Sequence, residues 1–302
     1  MFKKISDNFS FVGKFKVFSI VSILLCSIGF VGIILSFFGV PALNFDFDFV
    51  GGVIMEVELG QEVTREIQDE IADIYSEVAG VTANITASGN SGTAVTVKTV
   101  EISSEQREEI FDRISEKYSD NEVTLLSTDY ASAAIGNDLK RSAFLASSIA
   151  AVLILIYITI RFEIKSGIAA IACLLHDVLI MLSVFVIFRI PMNMTFIAAA
   201  LTIIGYSINA TIVVFDRIRE NGRIYGSKCA FSDVVDMSIW QSMRRSLGTT
   251  VTTLLPILLI LFLSVSSIRV FAIPLTVGVI AGGYSSTCIA GPLWNRLKGA
   301  GS

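Results

Sequence analysis

Residues 190–215 read IPMNMTFIAAALTIIGYSINATIVVF. The run carries no charge. At about 1.5 Å of rise per residue it is long enough, as a helix, to cross the ~30 Å hydrocarbon core of a bilayer. Its middle, Gly205-Tyr206-Ser207-Ile208-Asn209-Ala210, sets small and polar side chains inside an apolar helix, and Asp216-Arg217 marks where the apolar run stops. Asn209 can donate and accept hydrogen bonds between packed helices, and Gly205, Ser207 and Ala210 beside it allow close approach. That face reads equally as a packing surface or as an ion-binding one.

Five further runs have the same apolar character: 17–40, 142–160, 166–188, 246–268 and 270–294. Six spans therefore define a polytopic α-helical membrane protein. The composition of the 302 residues agrees, with 53% hydrophobic, 17% charged and a mean hydropathy of +0.71. Soluble domains carry roughly a quarter charged residues, so a purely soluble enzyme, a disordered chain and a collagen-like fibre are excluded. Run 17–40 is too long for a secretory leader and is expected to stay as an anchoring helix. Gly299-Ala300-Gly301-Ser302 has linker chemistry, and 299–302 is set apart from the fold as an appended linker.

Charge is unevenly distributed. Residues 41–138 hold 20 of the 27 Asp and Glu but only 5 of the 23 Lys and Arg. Basic residues cluster instead at Lys3, Lys4, Lys14 and Lys16, at Arg161 and Lys165, between Arg217 and Arg245, and at Arg296 and Lys298. With six spans all of these fall on one side, which the positive-inside rule makes cytoplasmic. Residues 1–16 and the C-terminus are expected there, with 41–138 external and spans two to six within 139–298. The opposite short loops hold little more than Arg189 and Arg269, and Lys140 and Arg141 are an exception at the outer end of the second span. No basic, aromatic-interleaved surface segment suggests nucleic-acid binding. Cys26, Cys173, Cys229 and Cys288 form no CxxC pair, so neither a disulfide framework nor a zinc site follows, and no cofactor is expected. No P-loop, GxSxG or HExxH appears, so an enzyme, and ATP hydrolysis in particular, is not expected.

The acidic segment alternates between periods. Val53, Met55, Val57 and Leu59 alternate with Glu56 and Glu58 as in a strand. Val63, Ile67, Ile71, Ile74 and Val78 recur at helical steps. Two strands follow at 81–87 and 93–99, joined by a turn at 88–92. Ser103 with Gln106 opens a second helix as a capping box. Its buried stripe is Ile110, Phe111, Ile114 and Tyr118, and a last strand covers 122–128. The order β-α-β-β-α-β is the ferredoxin-like pattern, an external α+β domain that by itself implies no function.

Several motifs together resemble the SecF family of bacterial protein-export subunits. They are Asp48-Phe49-Val50-Gly51-Gly52, Ile135 to Arg141, Leu174-Leu175-His176-Asp177-Val178, Gly205 to Asn209 with Phe215 to Asn221, Arg245, Thr252 to Pro256, and Gly283-Tyr284-Ser285-Ser286. The resemblance covers nearly the whole chain. It implies a paralogous SecD partner, membership of the RND transporter superfamily, association with the SecYEG channel in the bacterial cytoplasmic membrane, and preprotein translocation assisted by the proton-motive force. It also implies a functional role for Arg245, which would pair with a carboxylate of the partner subunit. A positive-inside anchor, like Arg244 beside it, is the plainer alternative.

One position departs from the family pattern. An aspartate usually follows Asn209, as the candidate proton relay, and here Ala210 stands in its place. A methyl group cannot bind or release a proton. Three explanations stay open: an engineered substitution, proton handling left to the paired subunit, or a different coupling ion. His176 and Asp177 remain as protonatable groups within a span, and such groups are costly in a bilayer. They read either as a residual relay or as a polar helix contact, and at about 100° per residue they need not pair with each other. Asp216 and Arg217 belong either to a solvated ion-pair network or to a docking segment. Gly51-Gly52 reads as a backbone bend. The alternatives to an export subunit are an RND-type transporter of small hydrophobic molecules and a purely structural assembly subunit.

Overall fold

A computed structural model describes residues 9–299 apart from positions 47, 48, 50, 90, 91, 120, 132, 162, 227 and 265. In chain order its elements are α1 (Phe15–Phe37), β1 (Gly52–Glu58), α2 (Arg65–Ala79), β2 (Asn84–Ser88), β3 (Ala94–Thr99), α3 (Ser104–Lys117), β4 (Thr124–Ala131), α4 (Ala133–Arg161) and α5 (Ile164–Phe188). There follow α6 (Met194–Tyr225), α7 (Phe231–Leu263), α8 (Ser266–Ser285), a π-helical turn (Ser286–Ala290) and α9 (Gly291–Gly299). They divide into two compact units, one within Met1–Asn44 and Leu145–Ser302, the other within Phe45–Phe144.

Six helical segments are long and apolar enough to cross a membrane: α1, Arg141–Ile158 of α4, α5, α6, α7, and Ile268–Gly299. The helix ends differ from the apolar runs. α6 continues to Tyr225, and α7 starts at Phe231 rather than near 246. Apolarity marks where lipid begins, whereas a helix propagates wherever one face stays buried. Val234, Val235, Ser238, Ile239 and Ser242 supply that face in the polar start of α7. α6 starts at Met194 because Asn193 caps it, its side chain accepting from the Phe196 amide at 3.2 Å. Gly299 is the last residue of α9, so the linker expected from 299 begins inside a helix.

α1 and α5 approach closely through small residues. A Cβ at Gly29 would lie 2.5 Å from the Leu179 carbonyl oxygen and 2.8 Å from Ser183 Oγ. The Gly29 amide donates to Ser183 Oγ at 2.8 Å, and that hydroxyl donates to the Leu25 carbonyl at 2.7 Å. Beyond α5, Arg189 takes a left-handed conformation (φ 52°) and its guanidinium donates to the Pro41 carbonyl. The Asn44 carbonyl accepts from the Met192 amide at 2.7 Å. The chain leaving α1 is thus fastened to the turn before α6.

The other unit is ferredoxin-like. Its sheet has the order β2-β3-β1-β4 with every pair antiparallel. Met55 faces Val97 and Val57 faces Val95 across β1 and β3. These side chains meet Ile71, Ile74 and Tyr75 of α2 and Ile110 and Ile114 of α3 in one core. Each fully buried aliphatic chain there is worth roughly 1.5–3 kcal/mol over exposure. Thr64 caps α2, Gly80 closes it at φ 66°, and the Ser103–Gln106 capping box opens α3. Phe111 is partly buried rather than central, and Tyr75 is the large core residue outside the expected stripe. β4 runs on to Ala131, since it pairs with β1 as far as Gly52.

Candidate functional site

Tyr206, Asn209, Ala210 and Val213 of α6 and Arg245, Ser246 and Thr249 of α7 line a cavity of about 50 Å³. The space is large enough to admit water. Tyr206 donates to Thr250 Oγ1 at 3.0 Å and holds the two helices in register. The α6 wall of the cavity includes the Ala210 methyl, which offers neither donor nor acceptor. Opposite it, the Arg245 side chain makes no hydrogen bond or ion pair among the described residues. The small-residue face expected to pack between spans is divided: Ser207 is buried inside the bundle, whereas Asn209 is exposed and a Cβ at Gly205 would meet nothing within 4 Å.

A second polar group lies inside the bundle. Asp177 is 1% exposed and His176 8%. Although adjacent on α5, they touch: His176 Nδ1 is 2.8 Å from Asp177 Oδ1. The side chains bend toward each other, which the angular spacing of their Cα–Cβ bonds alone does not require. Asp177 Oδ2 accepts from Ser207 of α6 at 2.5 Å and from Ser285 of α8 at 2.9 Å. Gly282 makes room, since a Cβ there would sit 3.2 Å from Ser207 Cβ and 3.6 Å from Asp177 Oδ2. One carboxylate therefore joins α5, α6 and α8. The π-helical turn begins directly after Ser285, and such turns recur at functional places in helices.

Further along α6, Arg217 pairs with Glu220 at 2.6 Å and donates to Gln241 at 2.7 Å, while Asn221 donates to Ser238 and Gln241, each at 2.8 Å. Asp216 lines a separate, open groove with Arg219, Glu220 and Arg223. Asp236 of α7 accepts from Ser10 at 2.5 Å and from the Val12 amide at 3.0 Å. That buried tie was not among the sequence expectations.

Of the residues singled out in the sequence, Tyr206, Asn209, Ala210 and Arg245 share one cavity, and His176 and Asp177 form a pair. Gly205 lies on the open face, and Asp216 and Arg217 belong to neither cluster. Gly51 and Gly52 stand in the other unit with φ of 82° and 143°, and a Cβ at Gly52 would collide with the Thr99 carbonyl oxygen at 2.1 Å. Asp48 lies outside the described residues. Ser207, Ser285 and Gly282 were not assigned to Asp177 from sequence; hydroxyls and a glycine inside apolar runs were the available signal. Among the described residues no group of three His, Cys, Asp or Glu could hold a metal ion.

Six helices long and apolar enough to cross a membrane in one unit, with polar side chains buried among them, and a ferredoxin-like fold in the other define a multi-pass membrane protein. The family "Protein export membrane protein SecD/SecF, C-terminal" matches residues 110–300. The chain is 36% identical to protein translocase subunit SecF of Sebaldella termitidis over 255 residues, 84% of this chain and 82% of that protein. It is 35% identical to protein translocase subunit SecF of Acidaminococcus fermentans over 289 residues, 95% of this chain and 96% of that one. The crystal structure of Thermus thermophilus SecDF, described as a translocon-associated membrane protein, superposes with a TM-score of 0.81 at 32% identity, covering 98% of this chain and 39% of that one. The chain belongs to the SecD/SecF family and aligns with its SecF members. It thus spans about two fifths of the SecDF chain that it superposes on.

Proposed function

We propose that this chain is a SecF-type subunit that assists preprotein translocation across the bacterial cytoplasmic membrane. It acts with a SecD-type partner and the SecYEG channel and draws on the proton-motive force. Its likeness to SecF proteins along most of their length carries this reading. A partner is supported by the Thermus thermophilus relative, in which one SecDF chain extends well beyond the matched part, and by the open Gly205–Asn209 face. Both termini are cytoplasmic and residues 41–138 external, from the distribution of Lys and Arg.

The role is one of transport and not of bond-breaking catalysis. Ala210 carries no proton, so proton transfer in this subunit does not pass through position 210. Arg245 lies where it would meet a carboxylate, whether at 210 or on the partner. The test is proton-dependent export in inverted membrane vesicles containing the cognate SecD-type subunit and channel, comparing the chain with Ala210→Asp. Greater proton-driven stimulation with the aspartate is expected. No effect of the chain or its variant on export, with the partner present, overturns the reading.

A further inference from the structure

A carboxylate taken out of water needs a counter-charge or several donors. Asp177 has no Lys or Arg against it among the described residues. It has two hydroxyls and one imidazole. Among the described residues, the protonatable groups that face the pair are Cys26 of α1, whose thiol donates to the His176 carbonyl at 3.7 Å, Cys173 of α5 itself, and Tyr284 of α8, whose ring lies 5.9 Å from the imidazole. All three are neutral as thiol or phenol, so nothing fixed and positive holds the carboxylate charge.

The imidazole is half satisfied. Nδ1 is engaged with Asp177, while Nε2 is buried and has no hydrogen-bond partner among the described residues. With the proton on Nδ1, donating to Oδ1, Nε2 presents a bare lone pair inside the bundle. Adding a proton there gives imidazolium against carboxylate, a charge-assisted contact, and removes net charge from a low-dielectric interior.

We propose that His176 and Asp177 form a proton-loading site, in which His176 Nε2 accepts a proton and Asp177, tied to α6 by Ser207 and to α8 by Ser285, holds the resulting imidazolium. The step is a single protonation: an O–H bond of hydronium breaks as the N–H bond forms, water is released, and unloading is the reverse. The pair moves from one net negative charge to none. Nearby polar groups fit such traffic. Thr211 lies one turn after Ser207 on the same face of α6, and its buried hydroxyl has no partner among the described residues. The same holds for Ser246, which lines the cavity beside Ala210. The proposal deepens the export reading and rests on it for what the proton gradient drives.

The chain has one histidine, so histidine labelled with ¹⁵N gives one imidazole to observe. The full chain would be labelled, reconstituted in liposomes with its SecD-type partner, and followed by solid-state NMR as pH is lowered from about 8 to about 5. The Nε2 resonance is expected to move from the unprotonated to the protonated range. Asp177→Asn should lower the ratio of protonated to neutral imidazole at a given pH by about tenfold or more. Ser207→Ala and Ser285→Ala, which keep the carboxylate but remove a donor to it, should raise that ratio. A pair that only holds the helices together keeps a neutral imidazole across the whole pH range. An imidazole that stays neutral throughout, or one indifferent to all three substitutions, overturns the site. If export is still stimulated by the gradient in that case, the export reading stands and the proton travels elsewhere.

Discussion

Arg245 of α7 and Ala210 of α6 line the same cavity of about 50 Å³. The guanidinium makes no ion pair among the described residues, and position 210 offers it only a methyl. An arginine so placed prefers a planar carboxylate partner, and the geometry permits one at 210.

A double-mutant cycle tests that relationship. Arg245→Gln alone should change the stability of the chain by less than about 0.5 kcal/mol, as for a side chain without a partner. In the Ala210→Asp background the same substitution should cost more, with a coupling energy of about 1–3 kcal/mol. Thermal unfolding in detergent of the four proteins reads the difference. A coupling near zero would place the new carboxylate out of reach of Arg245.

Gly29 should tolerate no side chain. A methyl there would press on the Leu179 carbonyl and Ser183 hydroxyl, and overpacking of this kind costs about 1–3 kcal/mol. Gly29→Ala is expected to lower the Tm of the chain and loosen α1 from α5, detectable as faster cysteine labelling at Cys26.

Gly205→Ala should behave oppositely. Its surroundings are open in this chain, and an alanine in a helix gains up to about 1 kcal/mol over glycine. The isolated chain should be as stable or more so. If the SecD-type partner docks on this face, co-purification with it should fall. Unchanged co-purification would move the partner to another surface.

The α+β unit supplies a pH prediction. Glu70 is held below the ordinary carboxylate range, first by the Tyr118 hydroxyl donating to it and then by Lys117. Its contribution to stability is therefore complete above the ordinary value of 4.5 and is lost as pH falls through the lower, folded-state value. Glu70→Gln should remove that contribution at neutral pH, change little below the folded-state value, and so flatten the acid side of the unit's stability profile, as followed by amide exchange of α3. Tyr118 shifts the other way, raised by burial and then by the Glu70 carboxylate.

Gly52→Ala should weaken the sheet by about 1–3 kcal/mol, because φ of 143° leaves no room for a Cβ. Loss of exchange protection at Val53 and Thr99 would report it.

The fold was legible because its two periods are plain. Alternation from Val53 to Leu59 and the three- and four-residue steps from Ile67 to Ile74 place one face of each element correctly. Tyr75 escaped that reading because a tyrosine is buried whole only when its hydroxyl finds company, here Met55 Sδ at 3.2 Å, and that is a tertiary fact. The start of α7 escaped because residues 231–245 are too polar for lipid yet pack well on protein. The site was legible by type and not by partner. His176 and Asp177 stand out as ionisable residues in a span, but Ser207 and Ser285 reach Asp177 from helices 30 and 108 residues away in sequence. The nearness of Ala210 to Arg245 likewise needed the helices to be placed side by side.

The 32 residues of α6 and 33 of α7 make rods of about 48–50 Å, against a hydrocarbon thickness of ~30 Å. Roughly 18 Å of the pair must stand clear of the lipid, clamped together by Asn221, Ser238 and Gln241. The pair is in effect a lever, with its fulcrum near the polar groups at mid-height. A tilt of about 10° at mid-height, on an arm of about 24 Å, would sweep the tip of the hairpin through about 4 Å, so that a change too small to open a path through the bundle would still be a sizeable stroke at its end.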